Sequence, residues 1–149
     1  MASIDSLIAN AQKVQENLEN GTWMQEIVKR YEAEICDMNS EDQLFEQGVN
    51  RVGVSISDYA PYQPKTIEIK QIKGQPYDRV TLRDTGDFHA SFFIEADDKG
   101  FTIKASDDKA EHLEKKYGRQ IFGLTDTNAQ ELATEYIQPD LIELIRDTF

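Results

Sequence analysis

Apolar residues recur at three- and four-residue spacing through most of the chain, switch once to alternation, and return to helical spacing at the end. Ile4, Leu7, Ile8, Ala11, Val14 and Leu18 predict a first amphipathic helix, opened by Ser3 or Asp5 and closed at Asn20-Gly21. The stripe is modest, and the pattern leaves open whether it packs on its own domain or on a neighbouring subunit. Trp23, Ile27, Tyr31 and Ile35 recur every four residues, with Met24, Val28 and Met38 beside them. This predicts a second helix, capped by Thr22, whose aromatic stripe is core. Ser40-Glu41-Asp42-Gln43 has the form of a capping box and opens a short helix with Leu44 and Phe45 on its apolar side. Gly48 is its expected stop.

The texture then changes. Gly53, Pro61 and Pro64 interrupt the chain, and Tyr59 and Tyr62 flank the first of these prolines. Residues 49–75 are expected to form an extended arm or irregular loop. Within it, Thr66-Ile67-Glu68-Ile69-Lys70 alternates as a strand does, while Ile69 and Ile72 also fit a helix, and both readings stay open. Gly74-Gln75-Pro76 turns the chain, and Arg79-Val80-Thr81-Leu82 is a candidate short strand. The stretch from Leu82 to Phe93 follows, the densest mixture of turn chemistry and large apolar side chains in the sequence. Asp84-Thr85-Gly86 reads as a tight turn, and Asp84 with Asp87 as a helix start. Phe88 and Phe92 then share a face.

Beyond Ser91 the period becomes two. Residues 92–96 and 100–105 flank Asp97-Asp98-Lys99-Gly100, which predicts a β hairpin over about 92–105 with Phe101, Ile103 and Ala105 on one face. Ser106 or Asp107 then caps a helix from about Lys109 to Tyr117, closed by Gly118. Ile121, Phe122 and Leu124 plug the core from a tight connection. Thr127-Asn128-Ala129-Gln130 reads as another capping box. Pro139 kinks or restarts the last helix, which carries Leu141, Ile142, Leu144 and Ile145. The fold class is therefore α+β: a small antiparallel sheet packed with N- and C-terminal helices, in a single domain over 1–149. Its parts are the N-terminal helices (1–48), the arm (49–75) and an α+β core (76–149).

Composition narrows the function. With 28 acidic and 16 basic residues the formal net charge is −12, which argues against a grip on a phosphate backbone as the main activity. Four of the basic residues, Lys65, Lys70, Lys73 and Arg79, fall within fifteen positions. With Tyr59 and Tyr62 they form the candidate interaction set, for an acidic partner or a nucleic-acid backbone; the simpler reading is a solvated arm. Cys36 is the only cysteine, so no disulfide forms within this sequence, and a reducing compartment and a packed thiol are expected. No apolar run approaches the roughly 20 residues of a membrane span, and the first residues show no signal-peptide pattern.

Catalytic chemistry finds little support. Asp84-Thr85-Gly86 matches the tripeptide of aspartic proteases, but those need two carboxylates sharing a proton, which a short chain supplies only as a dimer. Asp84, Asp87 and His89 fit no strong metal-ligand spacing. His112 has no second histidine near it, and there is no phosphate loop or nucleophile elbow. No catalytic residue, cofactor or metal is assigned. A hydrolase using Asp84 or Asp87 is the least favoured of the alternatives.

The motifs are more telling in combination. Leu82-Arg83-Asp84-Thr85-Gly86-Asp87-Phe88, followed by Ser91, resembles the L-x-x-T-G-x-L-x-x-S signature of tailed-bacteriophage virion morphogenesis proteins. This is the tail-completion or head–tail joining (neck) family. Tyr117-Gly118-Arg119-Gln120-Ile121-Phe122-Gly123-Leu124-Thr125 resembles the second motif that follows the hairpin in that family. The likeness spans about residues 77–149, with Phe88 where the pattern has Leu, and the N-terminal helices have no counterpart. It marks Asp84, Thr85, Gly86, Phe88, Ser91, Gly118, Phe122 and Gly123 as motif residues. It implies a non-enzymatic structural component at the virion neck or tail apex, assembled in the host cytoplasm. Such a protein forms a ring of six or twelve copies between portal- or adaptor-side and tail-side proteins, with DNA only a passing neighbour and no membrane. In such a ring the arm would lie on a neighbour and be removable without unfolding the subunit, and the hairpin edge would pair copies. The alternative is an acidic, non-enzymatic phage protein that binds a host or assembly partner.

Overall fold

The computed structural model describes residues 3–149. The chain is α+β. Among the described residues the one sheet is the predicted hairpin, β1 (Phe92–Asp97) and β2 (Gly100–Ala105), paired antiparallel with Ile94 opposite Ile103 and Phe92 opposite Ala105. Asp97 folds back on the turn, its Oδ1 accepting from the N–H groups of Lys99 and Gly100.

Helix α1 (Ile4–Glu19) starts where Ser3 Oγ accepts from the Ser6 N–H. It packs beside α2 (Thr22–Arg30) and the C-terminal helix, but with Ser6, Asn10, Val14 and Asn17 inward. Its apolar stripe faces solvent: Ile4 is 76% and Ile8 52% exposed, and Leu7 and Leu18 are exposed as well. Gly21 (φ 75°) links α1 to α2 and touches the hairpin turn. A Cβ there would lie 2.9 Å from Asp98 Cα, so only glycine satisfies both the left-handed backbone and the close approach. Thr22 does not cap α2. Its own N–H donates to Asn20 Oδ1 (2.9 Å).

The second predicted helix bends at Tyr31, whose backbone (φ −103°, ψ 21°) separates α2 from α3 (Glu32–Asp37). The bend lets Tyr31 donate to Asp140 Oδ2 (2.8 Å), which also takes Arg30 at 2.7 Å, tying α2 to the C-terminal helix α8 (Gln138–Thr148). No helix begins at Ser40. α3 runs on as a wide π-helix over Met38–Gln47, and Ser40 Oγ donates to Cys36 O within it. A capping box needs free N–H groups at a helix start, and here the helix never stops. Cys36 is packed, and burial pushes its thiol up to about 11, so it stays protonated.

The expected arm is only partly irregular. Residues 49–63 hold a bridge between Val49 and Ser55 and a 3₁₀ turn over Ile56–Asp58, with Ile56 fully buried. Pro64–Lys73 is a regular helix, α4, with proline in its first turn and Gly74 beyond its end. This settles the open stretch 66–70 as helix. Residues 79–82 form no strand: the Thr81 N–H donates to Tyr62 Oη (3.0 Å), and Leu82 turns left-handed (φ 56°). α5 (Asp87–Ala90) follows Gly86 without an aspartate cap, the Asp87 N–H donating instead to Thr85 Oγ1 (3.3 Å).

After the hairpin, Asp107 Oδ1 accepts from the Lys109 N–H (2.8 Å) and α6 spans Ala110–Tyr117. α7 (Asp126–Glu131) opens at Thr125, two residues before the predicted box, because Thr125 Oγ1 takes the Asn128 N–H while Asn128 itself points inward. A π turn over Leu132–Ile137 leads into α8 with Pro139 in its first turn, where a missing N–H costs nothing. The core gathers Ile35, Leu44, Ile56, Val80, Phe88, Ile94, Ile103 and Ile121, from α3 through the 118–125 segment. Among the described residues no helix is long and apolar enough to cross a membrane.

Candidate functional site

The two motif segments, more than thirty residues apart, meet in space. Phe88 lies edge-on to Phe92 with centroids 5.1 Å apart, and Phe122 closes the triangle at 6.1 Å and 5.4 Å. Ser91 Oγ donates to Phe88 O (2.8 Å), and the Ser106 N–H donates to Ser91 O, so the motif serine joins α5 to the base of the hairpin. Edge-to-face rings add about 1 kcal/mol each beyond their burial. The cluster makes α5, β1 and residues 118–125 one rigid unit.

Residues 118–125 are held from the other side by two buried amides. Asn39 and Gln43 stand one turn apart on the π-helix, both 0% exposed. Asn39 donates to Ile121 O and accepts from the Gly123 N–H, both at 2.8 Å. Gln43 donates to Gly123 O (2.9 Å) and accepts from the Thr125 N–H (2.9 Å) and from Asn128 Nδ2 (2.8 Å). The pair serves the segment as a neighbouring strand would. Gly123 (φ 126°) holds a backbone conformation that residues with a side chain rarely adopt, and a Cβ there would also press on the Arg51 side chain. Arg51 also binds this segment, its N–H donating to Gln120 O and Nη1 to Phe122 O. The spacing of Asn39 and Gln43 beside Met38 and Leu44 was the available sequence signal, and the capping-box reading obscured it.

The candidate interaction set is engaged within the chain. Tyr59 Oη donates to Tyr117 O (2.9 Å). Lys70 is 8% exposed, donates to Arg83 O (3.1 Å) and stacks over Tyr62 at 5.1 Å. Lys73 pairs with Asp84 (2.9 Å), and Arg79 reaches Phe45 O and Asp78. Of the six, only Lys65 has no partner among the described residues. These bonds fasten the segment to residues 81–84, to the end of α6 and to Phe45, so it packs on the folded body.

Lys73, and then Gln75, hold the Asp84 carboxyl below its ordinary range. An ion-paired carboxylate is the opposite of the shared proton that a protease dyad requires. Among the described residues no three histidines, cysteines or acids converge as a metal set, so Asp84, Asp87 and His89 do not assemble into one. His112 is exposed on α6.

The hairpin has two unlike edges. On the β1 side the Ile94 N–H donates to Glu32 Oε2 (2.7 Å), and Ile94 O accepts from Lys29 Nζ (3.4 Å). The Ile94 bond, ahead of the Lys29 contact, holds the Glu32 carboxyl below its usual range. Glu32→Ala is expected to speed hydrogen exchange at Ile94 and to cost about 1 kcal/mol at neutral pH. Unchanged exchange at that amide would show that Glu32 does not guard the edge. On the β2 side lies a groove of about 1200 Å³ between the strand, α6 and the 122–137 region.

Compared with protein-family models, with curated proteins and with solved structures, the chain has no match in any of the three.

Proposed function

We propose that this chain is a structural component of a tailed-phage virion, a ring subunit in the neck or tail apex that joins or completes head and tail. The observation that carries the reading is the meeting of its two resembling motifs. Phe88 and Ser91 on one side and Phe122 on the other frame a single unit at the base of the hairpin. A scaffold role needs such a rigid frame with surfaces left over for neighbours. The outward apolar stripe of α1 is one such surface. The excess of acid repels a DNA backbone passing through the ring.

The test is copy number in purified particles, by quantitative mass spectrometry against the portal protein. Six or twelve copies per virion are expected. Absence from particles overturns the reading and favours the second one, an acidic phage protein that binds a host or assembly partner. That alternative rests on the excess of 28 acidic over 16 basic residues.

A further inference from the structure

We infer that the outer edge of β2 and the groove beside it form a binding site for an extended, basic segment of another protein, taken up as a third strand. The register decides which backbone groups are free. Ile94 turns its N–H and C=O away from β2, toward Glu32 and Lys29. Its partner Ile103 therefore turns its own N–H and C=O away from β1, and with the two-residue period so do Phe101 and Ala105. Among the described residues none of these groups has a hydrogen-bond partner. Those of Ile94, on the opposite edge, are both taken by side chains. Ile103 itself is 3% exposed and Phe101 and Ala105 are half-buried, so the unpaired groups are reached from the groove; an edge with such groups is a template for strand addition.

The space beside that edge suits one strand. The groove runs past Phe101–Ala105 of β2, about 17 Å at strand rise, and is floored by Phe122, Leu124, Leu132 and Ile137. An incoming strand would set every second side chain on this floor and bond its backbone to Phe101, Ile103 and Ala105. The wall formed by the start of α6 is acidic, with Asp107, Asp108, Glu111 and Glu114. Lys115 pairs with Glu111 and Arg119 with Glu114, while Asp107 and Asp108 have no basic partner among the described residues. On the other rim Lys104 pairs with Glu95, while Arg51 donates to the neutral Phe122 O and keeps its charge, so the acidic excess is local to Asp107 and Asp108 beside α6. The unmatched charge selects an occupant with lysine or arginine facing α6. The inference stands on the groove alone and holds whether or not the protein is part of a virion.

The experiment uses the full chain, labelled with ¹⁵N, and three capped nonapeptides in which valine alternates with lysine, threonine or glutamate. The lysine peptide is expected to bind at least tenfold more tightly than the glutamate peptide, with the threonine peptide between. It is also expected to slow hydrogen exchange at the Phe101, Ile103 and Ala105 amides and to weaken as salt rises. Ala129 is exposed and lines the groove, so Ala129→Trp fills it from the surface. This variant is expected to keep its melting temperature and lose at least tenfold in affinity. A second groove variant, Ala110→Trp, serves if the first unfolds. The inference is overturned if no peptide binds at millimolar concentration, or if binding leaves the three amides unprotected. It is overturned equally if those amides are already protected in the free protein in a concentration-dependent way, which would assign the edge to a second copy.

Discussion

Gln43→Ala is expected to lower the stability of the fold by about 4 kcal/mol, the largest loss for any single polar side chain in this protein. The side chain is fully buried and makes three hydrogen bonds to the 123–128 region. Truncation strands Gly123 O and the Thr125 N–H away from water, at about 1–3 kcal/mol each, and opens a cavity besides. Asn128 loses less, because its Nδ2 keeps Met38 O at 3.3 Å. The loss is read as a lower urea midpoint with an unchanged slope. Gln43→Leu separates the causes. It restores volume but no polar partner, so it is expected to recover less than half of the stability. Full recovery in the leucine variant would show that Gln43 matters for packing and that the amide clamp is incidental.

Acidification from pH 6.5 to pH 4 is expected to cost about 3 kcal/mol through His89 alone. Burial between Phe88 and Phe92 holds this imidazole down at about 4, and the nearby Arg83 guanidinium adds to the effect, against a weaker opposing contribution from the Thr81 backbone. Neither ring nitrogen has a hydrogen-bond partner among the described residues. The sign follows from proton counting. Below about 6.5 the unfolded chain binds a proton at His89 that the folded chain refuses, so stability falls with pH until the folded group also titrates. Asp84 and Glu32, both held below their ordinary range, add their own losses only further into acid. The window between pH 6.5 and 5 therefore isolates the histidine. His89→Leu is expected to be flat there, and to be more stable than the parent at pH 5. The same pH slope in both proteins would place the proton elsewhere.

Elements whose determinants are local were legible in the sequence. The hairpin is one: aspartates and glycine between two alternating runs leave few choices, and strand limits, register face and turn are as expected. α6 and the packing of Cys36 are others. The failures share a cause. Ser40–Gln43 and Thr127–Gln130 have the letters of helix starts, yet Gln43 and Asn128 point inward and bind each other. Their roles depend on residues some eighty positions away, which no window can contain. The basic set misled in the same way: Lys70 and Lys73 are near neighbours in sequence, but Arg83 O and Asp84 claim them in space. α1 shows the reverse error, since its apolar spacing is genuine while the face turned inward is the more polar one. Of the site, Phe88, Ser91 and Phe122 could be singled out from the sequence one by one. Their meeting at Phe122 and the open edge of β2 could not, because both are products of tertiary geometry.

The amide clamp has a consequence for synthesis. Asn39 and Gln43 leave the ribosome some eighty residues before their partners in 121–128. Until then two polar side chains destined for a dry interior have only water for partners, and the turns of the π-helix around them lack a surface to close on. The N-terminal half therefore has no stopping place at which it is finished. A chain released early would expose the faces of Ile35 and Leu44 that the C-terminal segment covers. Closure across some eighty residues, and not stepwise accretion from the first helix, completes this part of the fold.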